Sequence, residues 1–505
     1  MTKASTLRIS LLVFGLLSVF LFFFFGYHTV FFDGPQGIHF IRQSDTLSFI
    51  SQYYNQGLNP FEPQLFNLSS IDGKTVSEFP VFYYLIALLY ELVGIQPHFL
   101  KIFHLTVFLT GVYCIFRICL LKLNDVIYSA LITLFLFTSA VINYYAFNYL
   151  PDISALGFVL IGWYFALKYS HTLRRKTLFY SLLFFTLAAL IKVTYLISLI
   201  AILLFVAILL FKNKNQTTNE KKACKNALIA GSVGVFVVFI WNLIMINYTI
   251  RHESSAFIYY PLPIWELNSE EIGSVWLHMS DYWYTSYLAH SSHHLLFVLI
   301  FFQFIFLRKA SAPLMGLMVI MLLGTATYFL LFYSQFKDHD YYVLNFVPLI
   351  VLFLLNGVDL LKKLFQNKYV HYFIQLIIAV VVVIGVNYSR IKLERRFDTS
   401  QDIQSATGLL IEQNKRKIDA LKIDSSAKFI VAPDLSPNGG LFYLNRMGWT
   451  IQDTSEIRKK VLLDYIHLGA QYLFLATENP EKIAIGKDLG EIILQDKGFA
   501  LFKLK

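Results

Sequence analysis

The sequence predicts a polytopic α-helical membrane protein with a small soluble α/β domain at its C-terminal end. Three observations predict it. Of 505 residues, 56% are hydrophobic and only 15% are charged, where a soluble domain carries roughly 25% charged residues. Apolar segments close to the roughly 20 residues that cross a hydrocarbon core recur as far as Tyr388. Beyond Tyr388 the composition turns ordinary, and strand-like and helix-like patterns alternate.

The apolar segments define about eleven spans, at 9–30, 99–121, 125–143, 153–169, 177–191, 194–211, 227–247, 294–307, 312–333, 342–361 and 371–388. The first follows Lys3 and Arg8 as a signal peptide would. Its apolar run is longer than a typical signal core and lacks a small-residue cleavage site, so it reads as an uncleaved span. Lys and Arg gather in the loops at 168–176, 212–225, 308–309 and 362–368, each separated from the next by two spans. The intervening loops hold only Lys192, Arg251 and Lys337. Cationic loops resist translocation, so the alternation puts the N-terminus in the cytoplasm and the C-terminal domain outside a cytoplasmic membrane. One segment decides this parity. Phe79 to Val93 is apolar but only about 15 residues long, too short to cross, and is expected to lie in the outer interface.

Two domains are expected. Residues 1–388 form the membrane domain, with a long outer loop at 31–98, and residues 389–505 form the soluble one. A second outer loop, about 248–293, is rich in Trp, Tyr, His and Ser. In the soluble part 394–420 reads as helical, 429–432 and 472–476 as buried strands, 433–440 as a Pro/Gly turn, 455–469 as an amphipathic helix and 491–504 as a hairpin. The formal charge of +10 sits in loops between spans and speaks for orientation and anionic headgroups rather than nucleic acid. Cys114, Cys119 and Cys224 fall in a span and an inner loop, so no outer disulfide is expected. The soluble part carries no phosphate-binding glycine motif.

The chemistry-bearing residues fall on the outer side. Asp45, in Arg42-Gln-Ser-Asp-Thr46, follows the first span; its plain reading is a helix N-cap or a solvated loop acid. Glu78 precedes Phe79-Pro80-Val81. Asp152, in Asn148-Tyr-Leu-Pro-Asp152, is placed to start a helix. Lys192 is a lone cation in an apolar tract where charge is costly, and either snorkels or binds an anion. Lys337, His339 and Tyr342, in Lys337-Asp-His-Asp-Tyr-Tyr342, suit a phosphate. A metal site is conceivable there, yet the ligand spacing is not diagnostic and nothing requires a metal cofactor.

Taken in order, these pieces resemble the GT-C membrane glycosyltransferases, in the branch of protein O-mannosyltransferases and the lipid A aminoarabinose transferase. The features are an acid in the first outer loop (Asp45), an aromatic interfacial helix opened by Pro80, an outer Asp152, Lys192 closely followed by Thr194, a His-x-Tyr-Tyr run leading to Pro348, and Tyr443-Leu-Asn-Arg-Met-Gly-Trp449. The chain departs from the family pattern in three places: Thr46 stands where a second acid is common, Pro80 is single, and Lys101 is the nearest match to a family Arg.

The resemblance implies inverting transfer of a sugar from a polyprenyl phosphate to a lipid, glycan or protein acceptor, within a lipid membrane. It implies Asp45 as catalytic base. Lys192, His339, Tyr342, Lys337 and Arg42 would meet the donor phosphate, with Glu78 and Asp152 in the acceptor cavity. A transporter or lipid flippase is the competing reading, but no internal repeat is visible and the polar groups avoid the span centres. A surface-glycan polymerase or ligase would use a diphosphate-linked donor and call for more outer Arg.

Overall fold

The computed structural model describes residues 3–70, 72–212, 217–258, 260–400 and 402–505. Part of the 212–225 basic loop, at 213–216, lies outside the described residues. The chain divides into two compact units. The first comprises Met1–Val30, Lys101–Asn242 and Tyr260–Arg395. The second comprises Phe31–Leu100, Leu243–Tyr259 and Arg396–Lys505, so the long segment after the first helix is grouped with the C-terminal part of the chain.

All eleven expected apolar segments are helical. Among the described residues, seven helices are long and apolar enough to cross a membrane, and nine spans result if each of two bent pairs counts as one. The chain is a multi-pass membrane protein. The expected 125–143 span is broken: Val126–Thr138 and Ala140–Ala146 meet at 82°. The break has a local cause, because the Ser139 hydroxyl accepts from the Ile142 N–H at 3.2 Å and starts a new helix. Half of the expected 248–293 loop is also helical, as Ser269–Tyr287 bends by 93° into His290–Ile305. Arg175–Ile191 (17 residues) and the apolar stretch Ile9–Phe24 fall short of the length of the seven. Helix His98–Leu123 crosses Asp152–Thr172 at small residues: a Cβ on Gly157 would sit 2.8 Å from the Val107 carbonyl oxygen.

In the second unit, helix Val81–Val93 has 13 residues, about 20 Å at 1.5 Å per residue, against a core of about 30 Å. It buries Phe82, Tyr83, Ile86 and Tyr90 while Leu85, Leu88 and Leu92 stay exposed. Its length and exposed leucines fit the interfacial placement expected from sequence.

The C-terminal sheet has five strands: β1 (Phe429–Ala432), β2 (Gly448–Thr450), β3 (Tyr472–Leu475), β4 (Gly490–Asp496) and β5 (Phe499–Leu504), in the order β2-β1-β3-β5-β4. β2, β1 and β3 run parallel; β5 is antiparallel to β3 and β4. Side chains of β1 alternate between faces with the period of two that a strand imposes. Phe429 and Val431 join one core with Ile411, Leu441 and Phe474, while Ile430 and Ala432 join another with Leu462, Leu473 and Phe502. The segment after the first helix contributes Phe40 and Phe66 to the first core. The expected strands and hairpin are present. The expected helix over 394–420 is three pieces, ending at Phe397 and resuming as Ala406–Gln413 and Lys415–Asp419.

Candidate functional site

Asp45 lies within helix Phe40–Asn55, whose N-cap is His39 at φ 60°. The acid is therefore in the second turn, and the N-cap reading of its sequence context does not hold. It is 7% exposed and lines a cavity of about 200 Å³ together with Asn67, Thr75, Ser254 and Asn438. Asp45 Oδ1 accepts from Asn438 Nδ2 at 2.8 Å. Burial pushes the Asp45 carboxyl up to about 6, against the opposing pull of Arg42 and the Asn438 hydrogen bond, with Glu78 adding a smaller upward push.

Asn438 is held on both sides of its amide. Its Oδ1 accepts from the Asn67 N–H at 3.0 Å, which fixes the orientation that turns Nδ2 toward Asp45. The loop is itself braced. Asp434 accepts from the Ser436 N–H at 3.0 Å and the Gly440 N–H at 2.8 Å. The Ser436 hydroxyl lies 3.1 Å from that of Ser44, next to Asp45 on its helix. Gly439 is required by close approach, since a Cβ there would sit 2.3 Å from the Phe40 ring. The expected Pro/Gly turn at 433–440 is thus the element that supports the acid. Sequence reasoning missed Asn438, and the only local trace of it is an Asn in a turn.

Arg42 and Glu78 complete this group. Arg42 pairs with Glu78, donates to Ser77 Oγ at 3.2 Å and lies 5.0 Å from the Phe257 ring centroid. The Glu78 carboxylate also accepts from Ser77 and from Tyr83 on the interfacial helix.

The second group belongs to the first unit. Asp152 is the first residue of Asp152–Thr172, and its side chain does not cap that helix. It pairs with Lys192 instead; the two side chains are 4% and 19% exposed. Lys192 ends helix Arg175–Ile191, where the terminal carbonyls favour a cation. Its Nζ stands 4.5 Å from the Tyr341 ring centroid and 4.4 Å from that of Tyr342. His339 stacks on Tyr342 at 5.6 Å. Thr194 donates to Asn345 Oδ1 at 3.0 Å, and the Tyr145 hydroxyl donates to Asp340 at 2.6 Å. The structure thus brings Asp152, Lys192, His339 and Tyr342 together. It shows Lys337 through its carbonyl, which accepts from Trp283 Nε1 at 2.9 Å. Arg42 groups with the acids of the second unit. Lys101 is buried, donating to the Val30 carbonyl at 2.8 Å with its Nζ 4.7 Å from the Tyr149 ring centroid.

Among the described residues, no three His, Cys, Asp or Glu side chains group to hold a metal ion. Glu78, the acid that acts on Asp45, is engaged by Arg42, Ser77 and Tyr83.

The chain is similar in structure to ArnT from Cupriavidus metallidurans in the apo state, with 13% identity and a TM-score of 0.63 over 99% of this chain and 98% of that one. The likeness to the same protein bound to undecaprenyl phosphate is 13% identity and TM-score 0.62, over 97% of each chain. The Archaeoglobus fulgidus oligosaccharyltransferase in complex with Zn and sulfate matches at 12% identity and TM-score 0.56, over 94% of this chain and 69% of that one. No family model and no curated protein matches. At these identities the likeness establishes the fold alone: this chain shares the architecture of ArnT and of the archaeal oligosaccharyltransferase.

Proposed function

We propose that this protein is a glycosyltransferase that moves a sugar from a polyprenyl phosphate to an acceptor hydroxyl on the outer side of the cytoplasmic membrane. The observation that carries the reading is Asp45, a buried carboxylate lining a cavity and raised to about 6. A base with a pKa near the working pH is both deprotonated and able to take a proton. The likeness to ArnT solved with undecaprenyl phosphate supports the donor class.

Asp45 takes the proton of the acceptor hydroxyl as its oxygen attacks the anomeric carbon. The bond from that carbon to the donor phosphate breaks, and the polyprenyl phosphate leaves with the bonding pair. Attack opposite the leaving group inverts the anomeric centre. Lys192, held over the rings of Tyr341 and Tyr342, the latter stacked on His339, meets the phosphate charge as it develops. The grouping of Arg42 with Glu78 favours a role in setting the charge around Asp45 over contact with the donor.

The test is Asp45→Asn in the full-length protein in nanodiscs. Transfer from a polyprenyl-phosphate-linked sugar to envelope material falls by roughly 10²–10⁴-fold, the usual loss of a general base. Affinity for undecaprenyl phosphate is retained. Wild-type turnover by this variant removes Asp45 from the chemistry.

A further inference from the structure

The cavity beside Asp45 has a polar group with no use inside the protein. Thr75 is 1% exposed and lines that cavity, yet its hydroxyl makes no hydrogen bond within the described structure. A buried hydroxyl left without a partner is destabilising, so a ligand atom that bonds it has an advantage built in. The cavity does not end there. Asn67, Ser69, Ser70 and Pro437 line both it and a larger cavity of about 970 Å³ in the same unit. That volume is at the upper end of the roughly 300–1,000 Å³ of small-molecule sites.

The larger cavity combines two chemistries. Trp449 and Tyr465, whose rings stack at 5.5 Å, line it beside Leu468, and Thr450, Gln452 and Glu456 add hydrogen-bonding groups. An apolar wall beside amide, hydroxyl and carboxylate groups matches a sugar ring, which offers C–H faces and hydroxyl edges.

Charge and backbone argue against other acceptors. Four carboxylates line the two cavities (Asp45, Asp72, Glu253, Glu456), against the single lysine Lys428. A phosphate acceptor would meet repulsion. An extended peptide would add to the free edge of β2, but that edge is taken. Leu68 N–H donates to the Gly448 carbonyl at 2.7 Å, and Gly448 N–H to the Phe66 carbonyl at 3.0 Å.

We infer that the acceptor is a neutral glycan: one ring hydroxyl faces Asp45, a neighbouring hydroxyl bonds Thr75, and the rest of the oligosaccharide occupies the larger cavity. This rests on Asp45 being the base. The bond formed joins the acceptor ring oxygen to the donor's anomeric carbon, its proton passes to Asp45, and polyprenyl phosphate departs.

The experiment compares cells whose only copy of the full-length chain is wild type, Asp45→Asn, Thr75→Val or Thr75→Ser. Membrane abundance and thermal melting of each purified protein report folding. Linkage analysis and mass spectrometry then follow envelope glycans, lipids and proteins. The expected result is one sugar lost in Asp45→Asn from a ring hydroxyl of a glycan, whether that glycan is free or lipid-borne. Thr75→Val reduces the same product about tenfold at normal abundance, and Thr75→Ser restores it. Gln452→Ala and Glu456→Gln, with Asp45 intact, lower it as well. Loss from a phosphate or a peptide side chain overturns the glycan inference while Asp45 remains the base. A normal product level in a folded Thr75→Val protein overturns the assigned hydroxyl contact. No loss anywhere in Asp45→Asn overturns the reading of Asp45 itself, and this inference with it.

Discussion

Asn438 donates its side-chain N–H to Asp45 at 2.8 Å across 393 residues of sequence. A loop of the C-terminal sheet therefore sets the orientation and charge of the acid. The hydrogen bond favours the carboxylate form, opposing the burial that raises Asp45 to about 6. The charged groups facing Asp45 are Arg42 on its own helix and Glu78 from the segment before the interfacial helix.

The sign of the pH dependence follows. A general base works deprotonated, so turnover rises as pH passes through about 6 and levels above it. Asn438→Leu removes the donor and moves this acid limb upward by about one unit. With the limb near 7 instead of 6, the deprotonated fraction at neutral pH falls from about nine-tenths to about one half, so turnover there falls about twofold and the loss grows toward lower pH. Undecaprenyl phosphate affinity stays unchanged. The pH–rate profile of the purified protein is the check, and an unmoved limb sinks the positioning role.

Gly439 tests the same support from the packing side. A Cβ there would meet the Phe40 ring at 2.3 Å, and Phe40 opens the helix that carries Asp45. Gly439→Ala is expected to destabilise the second unit by about 1–3 kcal/mol, the usual cost of overpacking. Hydrogen exchange should show lowered protection in both Phe40–Asn55 and β1. An unchanged exchange pattern means the ring simply moves aside.

These relationships mark where the sequence stops being legible. Apolar runs, charge alternation and the short apolar stretch of β1 are local, and they led to the eleven helical segments and the α/β domain. The bend at Ser139 was not visible, because a broken span has the same composition as a straight one. Asp45 resembled an N-cap because nothing local shows that the helix starts at His39, whose left-handed φ is uncommon for a non-glycine residue. Asn438 and Thr75 gain meaning only through chain segments far away in sequence. Lys192 looked solitary because its partner, Asp152, stands 40 residues earlier.

The expected orientation follows from the basic loops and is open to direct labelling. Native cysteines Cys114 and Cys119 are buried, and Cys224 is partly accessible. In a Cys224→Ser background, Ser425→Cys should react with an impermeant maleimide on intact cells. His171→Cys, exposed in the 168–176 loop, should react only after permeabilisation. The sequence also nominates Asn215, which lies outside the described residues. The reverse labelling pattern inverts the topology and with it the placement of Asp45 outside.

The ion pair between Lys192 and Asp152 changes what a Lys192 substitution can report. A lone lysine could be replaced by methionine with little harm to the fold. Here Lys192→Met strands an Asp152 carboxylate that is only 4% exposed. Removing one member of a buried pair costs roughly 3–5 kcal/mol, and the partial exposure of Lys192 puts this case at the lower end. The single variant is therefore expected to melt early, and its loss of lipid binding would be ambiguous. Asp152→Asn/Lys192→Met removes both charges together and should regain most of the stability. If Lys192 meets the donor phosphate, this double variant still binds undecaprenyl phosphate about ten- to a hundredfold more weakly, the loss of one charge-assisted contact. Full affinity in a double variant of wild-type stability would leave the pair a structural clamp between two helix ends, and the donor phosphate would have to be met by other groups.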